Sequence, residues 1–177
     1  KQADLLFKEH GTADVIAIGR KAVEFAARSG MTTLATYTNV TDGVAINDIT
    51  EMSEKAIAAF GTGKYKKVVV IYQNFISTFE QTPVVRQVLP VVTEEINDMM
   101  RGIKPKTGKF SSDRIEPDTF SPYKVEPSPE EVLNTLLPQL VQVMLYHAVL
   151  ESKASEHSAR MVAMKNATDK SKEMVKH

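Results

Sequence analysis

The chain has 177 residues, 42% of them hydrophobic, which is enough for one domain with a sizeable core, alone or with an appendage. Its 22 basic and 22 acidic residues balance, so no overall field favours nucleic acid or an anionic membrane as a partner. The lack of cysteine excludes disulfides, thiol nucleophiles and thiolate metal sites. No uninterrupted apolar run approaches the roughly 18 residues of a membrane span, and no signal peptide is expected.

The first half of the chain alternates between runs typical of strands and runs typical of helices. Ala13–Gly19 is a continuous apolar run ending in glycine, as in a buried parallel strand. Pro83–Pro90 predicts a shorter strand near a sheet edge, because proline brackets it. The predicted elements in chain order are strand Ala13–Gly19, helix Arg20–Arg28, strand Thr32–Thr38, helix Ile46–Phe60, strand Lys67–Tyr72 and strand Pro83–Pro90.

This order predicts an α/β fold with a Rossmann-like, mostly parallel sheet and flanking helices. The segment 94–127 then changes in character, because it is rich in glycine, proline and polar residues. We interpret 94–127 as a long surface loop of the same domain. The predicted organisation is therefore an α/β domain over residues 1–127 and a C-terminal helix over residues 128–177.

The C-terminal helix is predicted to begin at Ser128, whose side chain can accept from free backbone N–H groups of the first turn. Pro129 suits the first helical position, and Glu131 can reach back to the cap. Pro138 removes a backbone donor, so we expect a kink or brief break there. From there to Lys176 neither glycine nor proline occurs, and about 38 residues would form a rod of roughly 57 Å.

The apolar stripe of this helix is dense over Leu140–Ala148 and then thins to small residues. This change predicts that the first part docks on the domain core and that the second part leaves it to pack along something narrow. Small residues spaced by three or four positions allow a partner helix to approach closely. The residues predicted to share that face are Ala154, Ser155, Ala159 and Val162.

Two glycine-containing segments resemble phosphate-binding loops only in part. Gly19 follows the first strand, but the dinucleotide fingerprint needs three glycines there. We interpret Gly19 as a tight turn, with Arg20 and Lys21 in solvent. The segment 61–64 contains a Gly-Lys pair, but it follows a helix instead of preceding one, and Tyr65 stands where a phosphate loop has Ser or Thr. We interpret it as a helix-end turn.

The remaining candidates for chemistry also have structural explanations. No two histidines have the i, i+4 spacing of a helical zinc site, and His147 is expected to be a partly buried helix residue. The adjacent acidic pairs Glu94-Glu95 and Glu130-Glu131 fit solvation and capping roles. The sequence therefore predicts no catalytic residue, no metal site and no cofactor.

The run Glu151–Asp169 closely resembles the C-terminal helix signature of the gamma subunit of rotary F-type ATP synthases. The signature is long and specific, and upstream residues agree with the family in order. The resemblance covers nearly the whole chain and is weakest over 94–122. The upstream matches are Ile18-Gly19 and Lys21, Asn74-Phe75-Ile76, Thr82-Pro83, Leu89-Pro90, Leu133–Leu137 and Tyr146.

The resemblance implies a non-catalytic rotor shaft. In this family an N-terminal and a C-terminal helix form an antiparallel coiled coil inside a hexamer of alpha and beta subunits, and the hexamer holds the nucleotide sites. A Rossmann-like foot domain binds the epsilon subunit and the c-subunit ring. The implied location is a peripheral complex on the cytoplasmic face of a bacterial inner membrane, or on the matrix side of the mitochondrial one. Contact with the membrane runs only through the c ring, and no nucleic acid is involved.

The resemblance also implies which residues make contacts, and what this sequence omits. The family's N-terminal helix, its first strand and the end of its C-terminal helix are expected outside this sequence. The alternative interpretation is a free-standing α/β nucleotide-binding regulatory domain. The implied shaft residues are Ala154, Ser155, Ala159, Met161, Val162, Met164, Lys165 and Asp169, and those facing the c ring and epsilon are Tyr123, Lys124 and Glu126.

Overall fold

The computed structural model describes residues 2–10, 12–38, 43–92 and 126–176. From residue 14 onward its helices and strands agree with the predicted ones to within a few residues at each end. In chain order they are α1 (Gln2–His10), β1 (Asp14–Ile18), α2 (Arg20–Arg28), β2 (Thr32–Tyr37), α3 (Ile46–Gly61), β3 (Val68–Phe75), β4 (Gln81–Leu89) and α4 (Pro129–Lys176).

The described strands form two pairs of opposite kinds. β1 and β2 are parallel, whereas β3 and β4 are antiparallel, with Val68 opposite Leu89 and Phe75 opposite Gln81. The α/β class with a long C-terminal helix is confirmed, but the expectation of a mostly parallel sheet is wrong for the second pair. The connection 76–80 is far too short for a parallel crossover, which needs a dozen or more residues, so the chain reverses as a hairpin.

β4 is also longer than predicted. It contains nine residues against eight in β3, so the expectation of a shorter strand is wrong. The turn between them is held by Ser77, whose backbone N–H donates to the Glu80 carbonyl at 3.0 Å. The Ser77 hydroxyl accepts from the backbone N–H groups of Phe79 and Glu80 at 3.3 and 3.1 Å. The tip of the β3–β4 hairpin is therefore ordered by its own serine.

The core lies where α4 packs on α3 and on the hairpin. One buried cluster joins Ile49 of α3 to Val149 of α4. The other joins Val88 of β4 to Val141 of α4. Leu145, between them on α4, packs against both clusters. The long helix is thus a central part of the domain core.

The predicted start of α4 matches the structure. The backbone N–H of Glu131 donates to the Ser128 hydroxyl at 3.2 Å, and the N–H of Val132 donates to the Ser128 carbonyl at 3.1 Å. The expected break at Pro138 is wrong, because α4 continues through it. Pro138 has no N–H, so the carbonyl of Asn134, four residues earlier, lacks its helical hydrogen bond. Both residues are exposed, so water can bond to this carbonyl instead.

The composition of α4 also meets a length and hydropathy criterion for a membrane span. One window of 18 residues has a mean hydropathy of 1.2, and 28% of that window is buried inside the structure. Helices that pack on a protein core meet the same criterion. Val141, Met144 and Ala148 of this helix are buried, so part of its apolar content belongs to the domain core.

Candidate functional site

The Gly19 amide is not free to bind a phosphate. Gly19 has a φ of 85°, a conformation that favours glycine, and its N–H donates to the Tyr37 carbonyl at 2.7 Å. The Lys21 ammonium lies 3.1 Å from a Glu24 carboxylate oxygen. Both observations agree with the tight-turn interpretation and disfavour a nucleotide site here.

The segment 61–64 ends α3, as predicted, and its lysine is engaged elsewhere. Gly63 has a φ of 73°. The Lys64 ammonium lies 2.7 Å from a carboxylate oxygen of Asp14, and the Tyr65 hydroxyl donates to the same oxygen. The hydrogen bonds from Lys64 and then Tyr65 hold the Asp14 pKa below its ordinary value. These contacts fasten the start of β1 to the end of α3 and leave no phosphate cradle.

The contacts of α4 with the domain are apolar at first and polar further along. Val141, Met144, Ala148 and Val149 are all buried among the apolar clusters. Ser155 and Ser158 are buried as well, with relative exposures of 3% and 7%, but they face the β3–β4 hairpin. The helix therefore stays docked through Ser158.

The polar contacts are hydrogen bonds from serines of α4 to the hairpin backbone. The N–H of Gln73 donates to the Ser152 hydroxyl at 3.1 Å, and the Ser155 hydroxyl donates to the Gln73 carbonyl at 3.2 Å. Ser152 and Ser155, three positions apart on α4, thus bond to both backbone polar groups of Gln73 in β3. At the hairpin tip the Ser158 hydroxyl donates to the Thr78 carbonyl at 3.0 Å.

Glu151 lies among these serines and brings a carboxylate to the hairpin. Its side chain is 16% exposed, and burial raises its pKa. The nearby charges of His147 and Arg86 and a hydrogen bond from the Phe75 backbone act in the opposite direction, lowering the Glu151 pKa. Only one orientation of the Asn74 amide turns its nitrogen toward the Glu151 carboxylate, so we assign that orientation, in which Asn74 donates to both oxygens.

His147 is a partly buried helix residue, as the sequence predicted, and it is part of the same cluster. Its Nε2 lies 3.3 Å from a Glu151 carboxylate oxygen. Its Nδ1 is buried without a hydrogen-bond partner in the part of the chain that the structure describes. A neutral ring therefore carries its proton on Nε2, where it is donated to Glu151. Among the described residues, no group of three His, Asp or Glu could hold a metal ion.

The structure separates the residues predicted to share a shaft face. Ser155 is buried against the hairpin and Val162 is half-buried, whereas Ala154 and Ala159 are exposed. Ser155 therefore packs within its own domain, a position that spacing along the helix does not reveal. The exposed residues of the predicted shaft are Ala154, Ala159, Met161, Met164, Lys165 and Asp169.

A longer apolar surface, of which the sequence predicted only Met161 and Met164, runs along α4 on the side away from the buried residues. We call it the outer stripe. Met161 and Met164 are 58% and 65% exposed and continue it past the last contact with the hairpin. Its spacing by seven, eleven or three positions was the available signal. The outer stripe comprises Leu136, Val143, Leu150, Met161 and Met164.

The residues predicted to face the c ring are only partly described. Tyr123 and Lys124 lie outside the described residues. Glu126 is exposed and precedes the Ser128 cap of α4 by two positions. The sequence reading also missed the roles of Asp14, Asn74, Arg86 and Glu151, because each depends on a partner distant in the chain.

Comparisons with known proteins agree on one family. A family model described as ATP synthase matches residues 1–177. An ATP synthase gamma chain of Chloroflexus aurantiacus is 39% identical over 165 residues, which are 93% of this chain and 50% of the relative. One from Roseiflexus sp. (strain RS-1) is 40% identical over 168 residues, or 94% of this chain and 51% of the relative. The chain spans about half the length of the curated relatives it matches.

Solved structures with the same fold come from rotary complexes. A chain in a structure of the Tetrahymena thermophila mitochondrial ATP synthase central stalk and c ring has a TM-score of 0.56 and 20% identity, over 87% of this chain and 60% of that one. A chain of the Euglena gracilis mitochondrial ATP synthase has a TM-score of 0.54 and 16% identity, over 92% of this chain and 53% of that one. With the family model matching from end to end, the chain belongs to the ATP synthase family, as a relative of its gamma chains.

Proposed function

We propose that this chain is part of the non-catalytic central-stalk rotor subunit of a proton-translocating F-type ATP synthase. In that role it transmits torque between the membrane c ring and the catalytic hexamer. The relatives named as gamma chains and the fold shared with central-stalk chains support this proposal. The Gly19 N–H and the Lys64 ammonium are already bonded to Tyr37 and Asp14, which favours this proposal over a free-standing nucleotide-binding domain.

The observation that carries the proposal is the way α4 leaves its domain. After Ser158 the helix runs on to Lys176, about 18 residues or roughly 27 Å, with every residue except Val162 exposed where the side chain is described. Such a helix gains little stability from its own domain. A rotor shaft needs this shape, because it must project from its foot into another subunit assembly.

We further propose that the outer stripe packs against an N-terminal helix of the full-length subunit in an antiparallel coiled coil. Leu136, Val143 and Leu150 would be covered near the domain, and Met161 and Met164 further along the shaft. Ala154 and Ala159 permit a close approach of the partner helix. Lys165 and Asp169, both exposed, are then available to the alpha and beta subunits.

The opposite end of the domain is proposed to contact the epsilon subunit and the c ring. Glu126 is exposed just before α4, and Tyr123 and Lys124 are its close neighbours in the sequence. The complex would then lie peripherally on the cytoplasmic face of a bacterial inner membrane, with the mitochondrial matrix side as the alternative. The subunit touches the membrane only through the c ring.

The test uses the full-length subunit reconstituted with its complex. Met161→Asp together with Met164→Asp places two charges in the proposed coiled coil, and we expect ATP-driven proton pumping to fall at least about tenfold because burying unpaired charges is costly. Ser171→Ala is the control, since its hydroxyl bonds only its own helix at the Ala167 carbonyl. Normal assembly and pumping by the double variant would contradict the proposed function.

A further inference from the structure

Between residues 141 and 158, α4 is attached to its domain in two physically different ways. The inner attachment, through Val141, Met144 and Val149, is apolar and forms part of the core. The outer attachment, through residues 151–158, consists of hydrogen bonds from Glu151, Ser152, Ser155 and Ser158 to the hairpin. Water can take the place of a polar partner, but not of an apolar one, so the two attachments differ in how easily they open.

The outer attachment covers the edge of β3 that faces away from β4. The Gln73 N–H and carbonyl both bond to serines of α4, and the Phe75 N–H bonds to the Glu151 carboxylate. Backbone N–H groups alternate sides along an antiparallel strand, so those of Tyr72 and Asn74 point toward β4. Side chains of α4 therefore satisfy strand-edge groups that would otherwise be unpaired.

Water has access to these bonds without opening the core. A groove of about 300 Å³, open to solvent, runs along the contact between the helix and the hairpin. Parting the hairpin from α4 at this point exposes serine hydroxyls and strand-edge amides. It leaves the apolar clusters around Val141 and Val149 closed. The groove is lined by Gln73, Gln81, Ser152, Ser155, Glu156 and Ala159.

We propose that Glu151, Ser152, Ser155 and Ser158 form a reversible latch between α4 and the β3–β4 hairpin. When the latch opens, the outer part of the hairpin, from Gln73 to its tip, separates from the helix while the inner, apolar attachment stays intact. The helix beyond Val149 then changes its angle to the domain without unfolding. The latch thus sets the point at which α4 is released, at Ser158 when closed and near Val149 when open.

Charged and hydrogen-bonding groups from both sides surround Glu151 in the latch. Arg86 comes from β4, the Asn74 amide and Phe75 N–H come from β3, and His147 comes from α4 itself. The carboxylate therefore joins three elements at one point. Opening the latch returns this carboxylate to water and offsets the cost of the lost hydrogen bonds.

Residue-resolved amide exchange on the 177-residue chain tests the latch, because the Gln73 and Phe75 amides report directly on it. In the unmodified chain we expect these two amides to exchange faster than those of Tyr72 and Asn74, since the latch opens while β3 and β4 stay paired. Ser152→Ala should speed exchange at Gln73 about fivefold or more by removing its acceptor. Tyr72 and Asn74 should change little.

A second variant and a control complete the test. Ser155→Ala removes the bond to the Gln73 carbonyl and should also speed exchange at the Gln73 amide, because the same latch opens more often. Ser171→Ala is a matched serine change on the same helix without a hairpin contact, and it should change neither amide. The latch is refuted if Ser152→Ala leaves Gln73 unchanged. It is also refuted if all the β3 amides accelerate together, since the hairpin and helix would then open only by unfolding.

Discussion

Two methionines on one helix illustrate how unlike the two ends of α4 are. Met144 is 3% exposed and packs in the core, whereas Met164 is 65% exposed. The residues around both are good helix formers, so propensity does not distinguish them. The difference is the surface opposite each one: α3 and the hairpin face Met144, and solvent faces Met164. One end of α4 is therefore part of the domain core, and the other end projects from it.

The largest expected difference between the two ends is in amide exchange. Amides of β3 that point toward β4, such as those of Tyr72 and Asn74, should be protected up to the global stability of the chain, whereas amides beyond Ser158 should show protection of about 1 kcal/mol or less. Adding a peptide with the N-terminal helix of the full-length subunit should raise protection there, and Met164→Asp should abolish the rise. Exchange beyond Ser158 as slow as at Tyr72 and Asn74 without a partner would overturn the proposed coiled coil.

Truncating each of the two methionines to alanine should lower the free energy of unfolding by different amounts at the two ends of α4. Met144→Ala removes buried volume from the core, and we expect it to lower the free energy of unfolding by about 2–5 kcal/mol. Met164→Ala removes an exposed side chain, so its effect should stay within about 0.5 kcal/mol. Urea denaturation of the two variants measures both. Equal effects would mean that the projecting end is covered in the isolated chain.

A similar comparison applies to two glutamates of α4 that are five positions apart. Glu151→Ala leaves the donors of Asn74 and Phe75 without their acceptor, and we expect a loss of about 1–3 kcal/mol in the free energy of unfolding. Glu156 forms an exposed pair with Arg160, so Glu156→Ala should cost about 0.5 kcal/mol or less. The same urea experiment at pH 7 measures both, and a larger effect at Glu156 would contradict the burial of Glu151.

The smallest expected effect is in the pH dependence of stability. Burial raises the Glu151 pKa above its ordinary 4.5, so its contribution to stability is complete below that value and declines as pH rises through the raised pKa. Asp14, whose pKa is lowered by Lys64 and Tyr65, contributes above its ordinary 3.8 and loses that contribution as pH falls. We measure the free energy of unfolding of Glu151→Gln, Asp14→Asn and the parent chain between pH 3 and 7. The difference between each variant and the parent chain should change with pH in opposite directions for the two variants. Parallel slopes would show that one of these environments is wrongly assigned.

Local patterns in the sequence were sufficient for the elements themselves. The bounds of α2, the end of α3 near Gly61 and the cap at Ser128 follow from residues within one turn of each other, and all agree with the structure. The run Glu151–Asp169 was likewise enough for the family, since a long contiguous match needs no tertiary information.

Only the tertiary structure decided how those elements meet. The antiparallel pairing of β3 and β4, the burial of Ser155 and the contact of Glu151 with Asn74 each join residues that are distant in the chain or depend on which side of α4 turns inward. Helical spacing places Ala154 and Ser155 about 100° apart, but the spacing alone is the same whichever side docks. The hairpin determined which side of α4 docks, because the edge of β3 needs polar partners and the serines of α4 supply them.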